Sequence, residues 1–437
     1  MAQQSEDTIF AQSSAPGRAG VSVVRLSGSL VGQTIKSICG LVPAPRHATL
    51  LWVREPGSGA RIDQALVLWF PGPASFTGED VAELHLHGSP AVVRRIFSVL
   101  SEQSGHRIAE PGEFTRRAIL NGKMDIVQAE GLGDLLSAET EAQRRQAFDV
   151  LDGKLSKSAQ AWKQSLMTAL SLLEVSIDFS DEELPSDVLD NVHGLVSEVL
   201  RAIKTSLEGS SQAERLREGF EVAIVGPPNA GKSTLLNYLA GREAAITSAR
   251  PGTTRDVIEL SFDLDGIPVT FLDTAGLRST DDEIEAIGVE RALRRARNAD
   301  VRIFLRSDSS DENFDDLIPA GDDLVLTAKS DLDATAGRAI SGKTGDGVRE
   351  MLSDLSAVLS GRIAGASLVA HERQRIALER AASALDLVVR RGGSIAFDPE
   401  LASADIHSAL NALDYLIGKF DIEAVFDLIF RNFCLGK

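Results

Sequence analysis

The sequence predicts a multidomain protein in which an α+β region precedes a helical region, and the helical region is interrupted by an α/β module. Three observations carry that expectation. A glycine-rich stretch, GPPNAGKS at Gly226 to Ser233, lies between an apolar run, FEVAIV, and a helix-like run, TLLNYLA. Long Ala, Leu, Gln and Glu runs with few glycines flank that module on both sides. The first quarter of the chain instead alternates short apolar runs with turns.

In the first region, residues 1–122, VSVVRLSG, ATLLWVRE and IDQALVLWF read as strands. VAELHLHGSPAVVRRIFSVLSEQSG passes from strand-like alternation through a Gly-Ser-Pro turn into a helical pattern. Residues 123–217 form a first helical part. There DIVQAEGLGDLLSAETEAQRRQAFDVLDG and LSKSAQAWKQSLMTALSLLEVSIDF carry apolar residues at helical spacing and read as long amphipathic helices. Residues 218–368 return to α/β texture. Strand candidates EVAIV, VIELSF, IPVTFLD, VRIFL and DLVLTA have helical runs between several of them, as a mostly parallel sheet requires. Residues 369–437 are helical again through HERQRIALERAASALDLVV and ADIHSALNALDYLIGKF. Like composition on both sides implies that the α/β module is inserted into one helical domain, which a host tolerates where the broken ends lie close together.

A chain of 437 residues has room for about two to four domains with real cores, and 43% hydrophobic content suits a soluble protein. MAQQSEDTIFAQ shows no basic segment followed by an apolar stretch, and no run reaches about 18 uncharged apolar residues. Export and membrane spanning are therefore not expected, and a cytoplasmic location is. Cys39 and Cys434 are too few for a disulfide framework and lack a zinc-site spacing. The formal charge of -18 argues against a general nucleic-acid coat, since backbone binding needs clustered cations, but it is compatible with a local basic surface.

The pattern GxxxxGK[ST] after a strand and before a helix specifies a nucleotide site. Its glycines turn backbone N–H groups toward phosphate oxygens, Lys232 reaches the β- and γ-phosphates, and Ser233 places its hydroxyl on Mg²⁺. FLDTAG follows about 40 residues later at the end of an apolar strand. Asp273 there can hold the Mg²⁺ shell, and the Gly276 N–H can meet a γ-phosphate. Between them, PGTTRD sets Thr253 and Thr254 in a polar loop, with Thr254 placed to close on Mg²⁺ when triphosphate is bound.

In this order the three motifs resemble a Ras-like, translation-factor-type P-loop GTPase domain. Where that superfamily reads guanine with Asn-Lys-x-Asp, this chain has Ala328, Lys329, Ser330 and Asp331. Asp331 retains the contact to the base N–H groups and Lys329 lies along the base, while Ala328 lacks the amide's hydrogen bonds, which weakens affinity and loop order. Ser341, Gly342 and Lys343 stand where such domains carry Ser-Ala-Lys near the base oxygen. Asn229, with GREAAITSARPGTTRD, is similar to the potassium-activated subset. That resemblance assigns K⁺ to Asn229, Ser248, Arg250 and Thr253, Mg²⁺ to Ser233 and Thr254, and the charge otherwise given by an arginine finger to the K⁺. The implied nucleotide contacts also take in Ala230, Gly231, Thr234, Ala249, Pro251, Gly252, Thr274 and Ala275.

DTIFAQSSAPGRAGVSVVRLSG, PRHA, SFTGEDVAELHLHGSP, EPGEFTRRAILNGKMDIVQAE, DTAGLRSTDDEIEAIGVERA and the terminal IFRNFCLGK resemble the MnmE (TrmE) family of tRNA modification GTPases. The resemblance implies an N-terminal α+β domain that binds 5-formyltetrahydrofolate or methylenetetrahydrofolate, a helical domain split by the GTPase module, and homodimers formed through the N-terminal domain. It further implies action with the flavoprotein MnmG on the wobble uridine (position 34) of tRNAs, installing a 5-aminomethyl or 5-carboxymethylaminomethyl group with a tetrahydrofolate one-carbon unit. FAD belongs to the partner, since no GxGxxG follows a strand here. Arg25, Glu83, Lys123 and Lys437 carry the folate site by this resemblance, with the carboxylate suited to pterin N–H groups and the cations to carbonyl or glutamate-tail oxygens. Cys434 falls at the same pocket, where its thiol acts or merely packs. Glu285 matches the glutamate that orients the attacking water, beside Lys232, Asp273 and Gly276, and Arg278 organises the switch. Candidate RNA contacts are Arg116 and Arg117, Arg144 and Arg145, and Arg390 and Arg391, although such a pair is more often simply a solvated helix face. The competing readings are a regulatory or ribosome-assembly GTPase that binds RNA without modifying it, and a nucleotide-dependent scaffold with degraded catalysis.

Overall fold

The computed structural model describes residues 7–178, 186–242, 244–246, 259–273, 294–306, 317–331, 338–391, 398–419, 426 and 436. By its contacts the chain divides into two compact units, residues 1–133 with 414–437, and residues 134–413.

Alternation along the N-terminal runs becomes a six-stranded sheet in the first unit. Its strands are β1 (Thr8–Gln12), β2 (Ala19–Ser27), β3 (Thr49–Arg54), β4 (Arg61–Phe70), β5 (Val81–Gly88) and β6 (His106–Ile108), in the order β3-β4-β5-β2-β1-β6. All pairs are antiparallel except β1 with β6. Because successive side chains point to opposite faces, Val24, Leu26, Ala65, Val67, Leu84 and Leu86 share one face. That face is buried with Ile35 and Ile38 of α1 (Val31–Cys39) and Ile96 and Leu100 of α2 (Pro90–Ser101). Each such aliphatic side chain contributes about 1.5–3 kcal/mol by leaving water. Arg25, Glu83, Leu50 and Leu66 occupy intervening positions and so belong to the other face. Burial also pushes the Cys39 thiol up to about 12, so it stays a neutral, apolar side chain at physiological pH.

A buried ionic network fixes α3 (Glu113–Leu120) in this unit. Arg107 donates to both Glu113 oxygens at 2.7 and 2.6 Å, and Arg117 donates to Glu113 at 3.1 Å and to Glu79 at 3.0 Å. Glu79 also accepts from Ser27 at 2.7 Å, which ties the SFTGED loop to β2. Arg117, one of the candidate RNA contacts, is thus buried in this network.

In the second unit the expected long helix over residues 125–153 is two helices, α4 (Ile126–Ser137), whose first turns belong to the first unit, and α5 (Glu141–Leu151). The break is chemical. Thr140 and Gln143 form a reciprocal capping box, with Thr140 Oγ1 accepting from the Gln143 N–H at 3.4 Å and the Gln143 side chain accepting from the Thr140 N–H at 3.1 Å. The helices α6 (Lys154–Asp178), α7 (Ser186–Glu208) and Glu372–Arg391 follow, and α7 buries Val192, Val196, Val199 and Ile203 at helical spacing. The chain then passes through α8 (Ser210–Glu218) into β7 (Phe220–Val225).

Strand β7 is central in a seven-stranded sheet ordered β13-β12-β11-β7-β10-β9-β8. The others are β8 (Ala245–Ile246), β9 (Glu259–Leu264), β10 (Ile267–Asp273), β11 (Val301–Arg306), β12 (Leu324–Ala328) and β13 (Ala339–Ile340). β13, β12, β11, β7 and β10 run parallel, β9 runs antiparallel to β10, and β8 runs antiparallel to β9. The β9–β10 hairpin turns on Asp265 and Gly266, both at positive φ (53° and 90°), the conformation a two-residue primed turn needs. Both faces of the sheet are covered. Leu235 and Leu239 of α9 (Lys232–Ala240) and Leu355 of the helix Val348–Ile363 pack on one, and Ala296 and Leu317 on the other.

The segments leading into and out of this sheet are joined. Ser367 N–H donates to the Gly209 carbonyl at 3.0 Å, Arg217 Nε donates to the Ala370 carbonyl at 2.9 Å, and a Cβ on Gly209 would lie 2.1 Å from the Gly365 oxygen. Among the described residues no helix is long and apolar enough to cross a membrane.

Glu113 yields a pH prediction. Burial raises its pKa, but the hydrogen bonds from Arg107 and the Glu110 N–H and the charges of Arg107 and Arg117 outweigh this and lower it overall. Its contribution to stability is therefore complete above the ordinary carboxylate range and is lost as pH falls through the lowered value. Glu113→Gln is expected to cost about 3 kcal/mol at pH 7 and to flatten the loss of stability below about pH 4.5, measured by urea unfolding at stepped pH. An unchanged urea midpoint at pH 7 would contradict this role.

Candidate functional site

The parallel strands put their C-terminal ends on one edge, and the loop 226–231 leaves β7 there. Gly226 has no room for a side chain, since a Cβ would lie 2.4 Å from the Leu305 carbonyl oxygen on neighbouring β11. Asn229 and Gly231 take positive φ (63° and 96°), which turns the loop into the first turn of α9. Lys232 is 6% exposed, and its Nζ donates to the Gly226 carbonyl at 2.6 Å and the Pro227 carbonyl at 3.0 Å. The ammonium is thus held across the mouth of its own loop. Parallel pairing of β10 with β7 sets Asp273 beside Ile224, two residues before the loop, and Ser233 Oγ donates to Asp273 Oδ2 at 2.9 Å. A hydroxyl and a carboxylate meeting at a helix N-terminus supply the hard oxygen ligands that Mg²⁺ takes, so these two residues fit that ion.

A second cluster lies at the ends of β12 and β13. Lys329 has φ 62°, the Ser330 N–H donates to the Ile340 carbonyl at 3.2 Å, and Ser341 Oγ donates to Asp331 Oδ1 at 2.7 Å. Ser341 is 1% exposed and also accepts from the Lys343 and Thr344 N–H groups at 3.2 Å. Asp331 is therefore oriented before any ligand arrives. Gly342 joins the two clusters, because a Cβ there would stand 2.6 Å from the Leu235 nitrogen and 2.9 Å from the Thr234 carbonyl carbon in the first turn of α9. Ala328, buried at the end of β12, is part of the sheet core. Ser248, Ala249, Arg250, Pro251, Gly252, Thr253, Thr254, Thr274, Ala275, Gly276, Arg278 and Glu285 lie outside the described residues.

The first unit holds a separate cavity of about 430 Å³, lined by Arg25, Arg46, Phe70, Phe76, Glu83 and Leu132 among others. Antiparallel register puts Arg25 directly across from Glu83, and Arg25 donates to Glu83 Oε1 through Nε at 3.1 Å and Nη2 at 2.9 Å. His85 Nε2 stands 3.2 Å from Glu83 Oε2. Burial raises the Glu83 pKa, and the His85 hydrogen bond with the charge and hydrogen bond of Arg25 outweighs it, so Glu83 is held as a carboxylate below its ordinary value. The expected site residues do not all converge. Lys123 donates to the Pro73 carbonyl at 2.8 Å and is not among the lining residues, while Cys434 and Lys437 lie outside the described residues.

Sequence reasoning missed Gly436 and Arg46 as site residues. Gly436 seats the chain end on the N-terminal sheet, with its carbonyl accepting from Ser13 Oγ at 3.1 Å and Arg25 Nη1 at 3.5 Å. Only its tail motif signalled it. Arg46 occupies a turn, where no periodicity exists to mark it, and the PRHA motif that contains it carried the resemblance without assigning it a role. Of the other RNA candidates, Arg144 and Arg145 both pair with Glu141 at 2.7 Å, and Arg391 pairs with Asp405 at 2.6 Å.

Family models match nearly the whole chain, "GTP-binding protein TrmE N-terminus" over residues 8–123 and "MnmE helical domain" over residues 126–434. A tRNA modification GTPase MnmE of Roseobacter denitrificans is 52% identical over 99% of this chain and 100% of its own length. One from Cereibacter sphaeroides is 50% identical with the same coverage. Among solved structures, Era of Aquifex aeolicus bound to GDP and AlF4⁻ aligns with 32% of this chain and 56% of its own at 28% identity and a TM-score of 0.25.

Gly436→Ala tests the seat of the chain end. A Cβ would lie 2.4 Å from both the Gln12 carbonyl oxygen and Ser13 Cα, which are backbone atoms that cannot swing aside. Losing the two hydrogen bonds, at about 1 kcal/mol each, is expected to speed carboxypeptidase removal of the last two residues by roughly tenfold or more. Equal digestion rates for variant and parent would refute the seating.

Proposed function

The chain belongs to the MnmE family of tRNA modification GTPases, and from that premise we propose that it is a potassium-activated GTPase acting with the flavoprotein MnmG on wobble uridine, with one carbon drawn from a tetrahydrofolate. The observation that carries this reading is that one chain holds both a phosphate loop with an Asp273–Ser233 pair and a separate cavity with an Arg25–Glu83 pair. A regulatory or RNA-binding GTPase needs the first and has no use for the second.

In the GTPase module, Lys232 leaves its two loop carbonyls for the β- and γ-phosphate oxygens, and the backbone N–H groups at the start of α9, Gly231 to Thr234, would meet the same phosphates, with the Ala230 N–H first releasing the Pro227 carbonyl. Ser233 with Thr254 would hold Mg²⁺, which supplies positive charge to the phosphate oxygens when bound. The Asn229 carboxamide oxygen is a hard ligand on a loop whose left-handed backbone sets its direction, and with Ser248, Arg250 and Thr253 it would hold K⁺. Asp331, fixed by Ser341, accepts the guanine N–H groups, and Lys329, Gly342 and Lys343 flank the base. With Ala328 the base is read through Asp331 without the amide contact. Glu285 orients the attacking water and Gly276 senses the γ-phosphate.

In the N-terminal unit, Glu83 accepts from the pterin amino and ring N–H groups while Arg25 balances its charge, and Lys437 would complete the folate site; Lys123 would have to release the Pro73 carbonyl to join them. Homodimerisation through this unit is supported by its outer sheet face, where Leu50, Leu66 and Trp52 on edge strand β3 and its neighbour are 57%, 43% and 37% exposed.

The decisive experiment is steady-state GTP hydrolysis in potassium chloride and in sodium chloride at equal ionic strength. Stimulation of roughly tenfold or more by potassium, lost in Asn229→Ala, is expected for an ion that replaces an arginine finger. Equal rates in both salts would remove K⁺ from the mechanism. Leu66→Glu is expected to convert the dimer to monomer in light scattering, because a buried unpaired carboxylate costs several kcal/mol at an interface; an unchanged mass would place the dimer contact elsewhere.

A further inference from the structure

We propose that Arg46 is a ligand-binding residue of the N-terminal cavity and takes the anionic end of the bound molecule. The inference rests on the tetrahydrofolate reading of that cavity, and the anion is then the carboxylate of the p-aminobenzoylglutamate tail.

Charge matching around the cavity points to it. Among the described residues, two cations, Arg25 and Arg46, and one carboxylate, Glu83, line the space. Arg25 and Glu83 cancel through their hydrogen bonds at 2.9 and 3.1 Å, and the remaining Arg25 Nη1 faces the Gly436 carbonyl. Arg46 has no carboxylate partner among the described residues. Its Nη2 donates to the Ala74 carbonyl, and its guanidinium lies 5.7 Å from the centre of the Phe70 ring. A guanidinium that is steered by a carbonyl and a ring, with no counter-charge among the described residues, keeps most of its five donors for a planar carboxylate.

The backbone adds a second, independent observation. Arg46 has φ 62°, a conformation that costs a residue with a side chain about 1–2 kcal/mol. The turn is held by the Arg46 N–H donating to the Trp69 carbonyl at 2.8 Å and the His47 N–H donating to the Ala44 carbonyl at 3.1 Å. Glycine would satisfy both bonds without strain, so the turn itself has no need of arginine. The guanidinium, placed on the wall between Phe70 and the loop at Ala74, is what the strain secures. Phe70, 5.7 Å from the Arg46 guanidinium, and Phe76, 5.5 Å from that of Arg25, add apolar wall to the same cavity, as a ligand with a polar ring at one end and an acid at the other requires.

The test is calorimetric titration of the full-length protein with 5-formyltetrahydrofolate and with a 5-formyl-6-methyltetrahydropterin that lacks the tail, comparing the parent with Arg46→Gly and Arg46→Lys. Arg46→Gly relieves the backbone while deleting the cation, so it is expected to keep or raise the melting temperature. It should weaken the tailed compound by roughly tenfold or more and leave the tail-less pterin within about twofold, with Arg46→Lys between parent and glycine variant. Binding of the tailed compound that survives Arg46→Gly, or an equal loss for both compounds, would overturn the assignment while leaving the folate reading in place. A parent protein that binds neither compound would overturn both.

Discussion

The parallel pairing of β7 with β10 is the constraint on which the nucleotide site depends. Its register brings Asp273 level with Ile224, and the chain two residues beyond Ile224 is the start of the phosphate loop. A slip of one residue would turn Asp273 to the other face and break its 2.9 Å contact with Ser233. The register is secured by burial on both faces, with Phe271 and Val222 in one core and Leu272 and Ala223 in the other. Geometry at the phosphate end is therefore inherited from apolar packing well away from it.

The same packing reaches the base end. Gly342 comes within van der Waals distance of the first turn of α9, so the loop that orients Asp331 through Ser341 rests on the helix that begins at Lys232. A displacement of either end has to be felt by the other, because backbone meets backbone with no side chain to absorb it. Below the sheet, the Ser367–Gly209 and Arg217–Ala370 bonds close the chain where the module leaves the helices. Loop closure there lets the α/β module interrupt the helical part without an open, entropically costly connection.

The N-terminal unit solves a different problem with different chemistry. Antiparallel alternation gives one apolar face to α1 and α2 and leaves the other to Arg25, Glu83 and their neighbours. Charges in this unit are matched: Arg25 with Glu83 on that face, and Arg117 of α3 with Glu79 and Glu113. The ionic cluster around Glu113 holds Glu79 in the loop that precedes β5, and the same loop carries the cavity residues Ala74, Ser75 and Phe76. Against this balanced background Arg46 is conspicuous as a cation whose partners are a carbonyl and a ring.

Much of this was determined by the sequence. GPPNAGKS between a strand and a helix, FLDTAG at a strand end and the five core strands of the module were all legible, because glycine spacing and apolar runs are local properties. The short strands β1, β6, β8 and β13 escaped notice, since two to five residues carry too little periodicity to register. The break before α5 was written in Thr140 and Gln143 but hidden by apolar spacing that continues across it. Only tertiary structure decided that Arg25 stands opposite Glu83, that Lys123 turns to Pro73 instead of lining the cavity, and that Arg46 and Gly436 reach its surroundings. Those relations join residues from about 20 to more than 400 positions apart, and their distances are set by strand register and close backbone approach, quantities that no local pattern encodes.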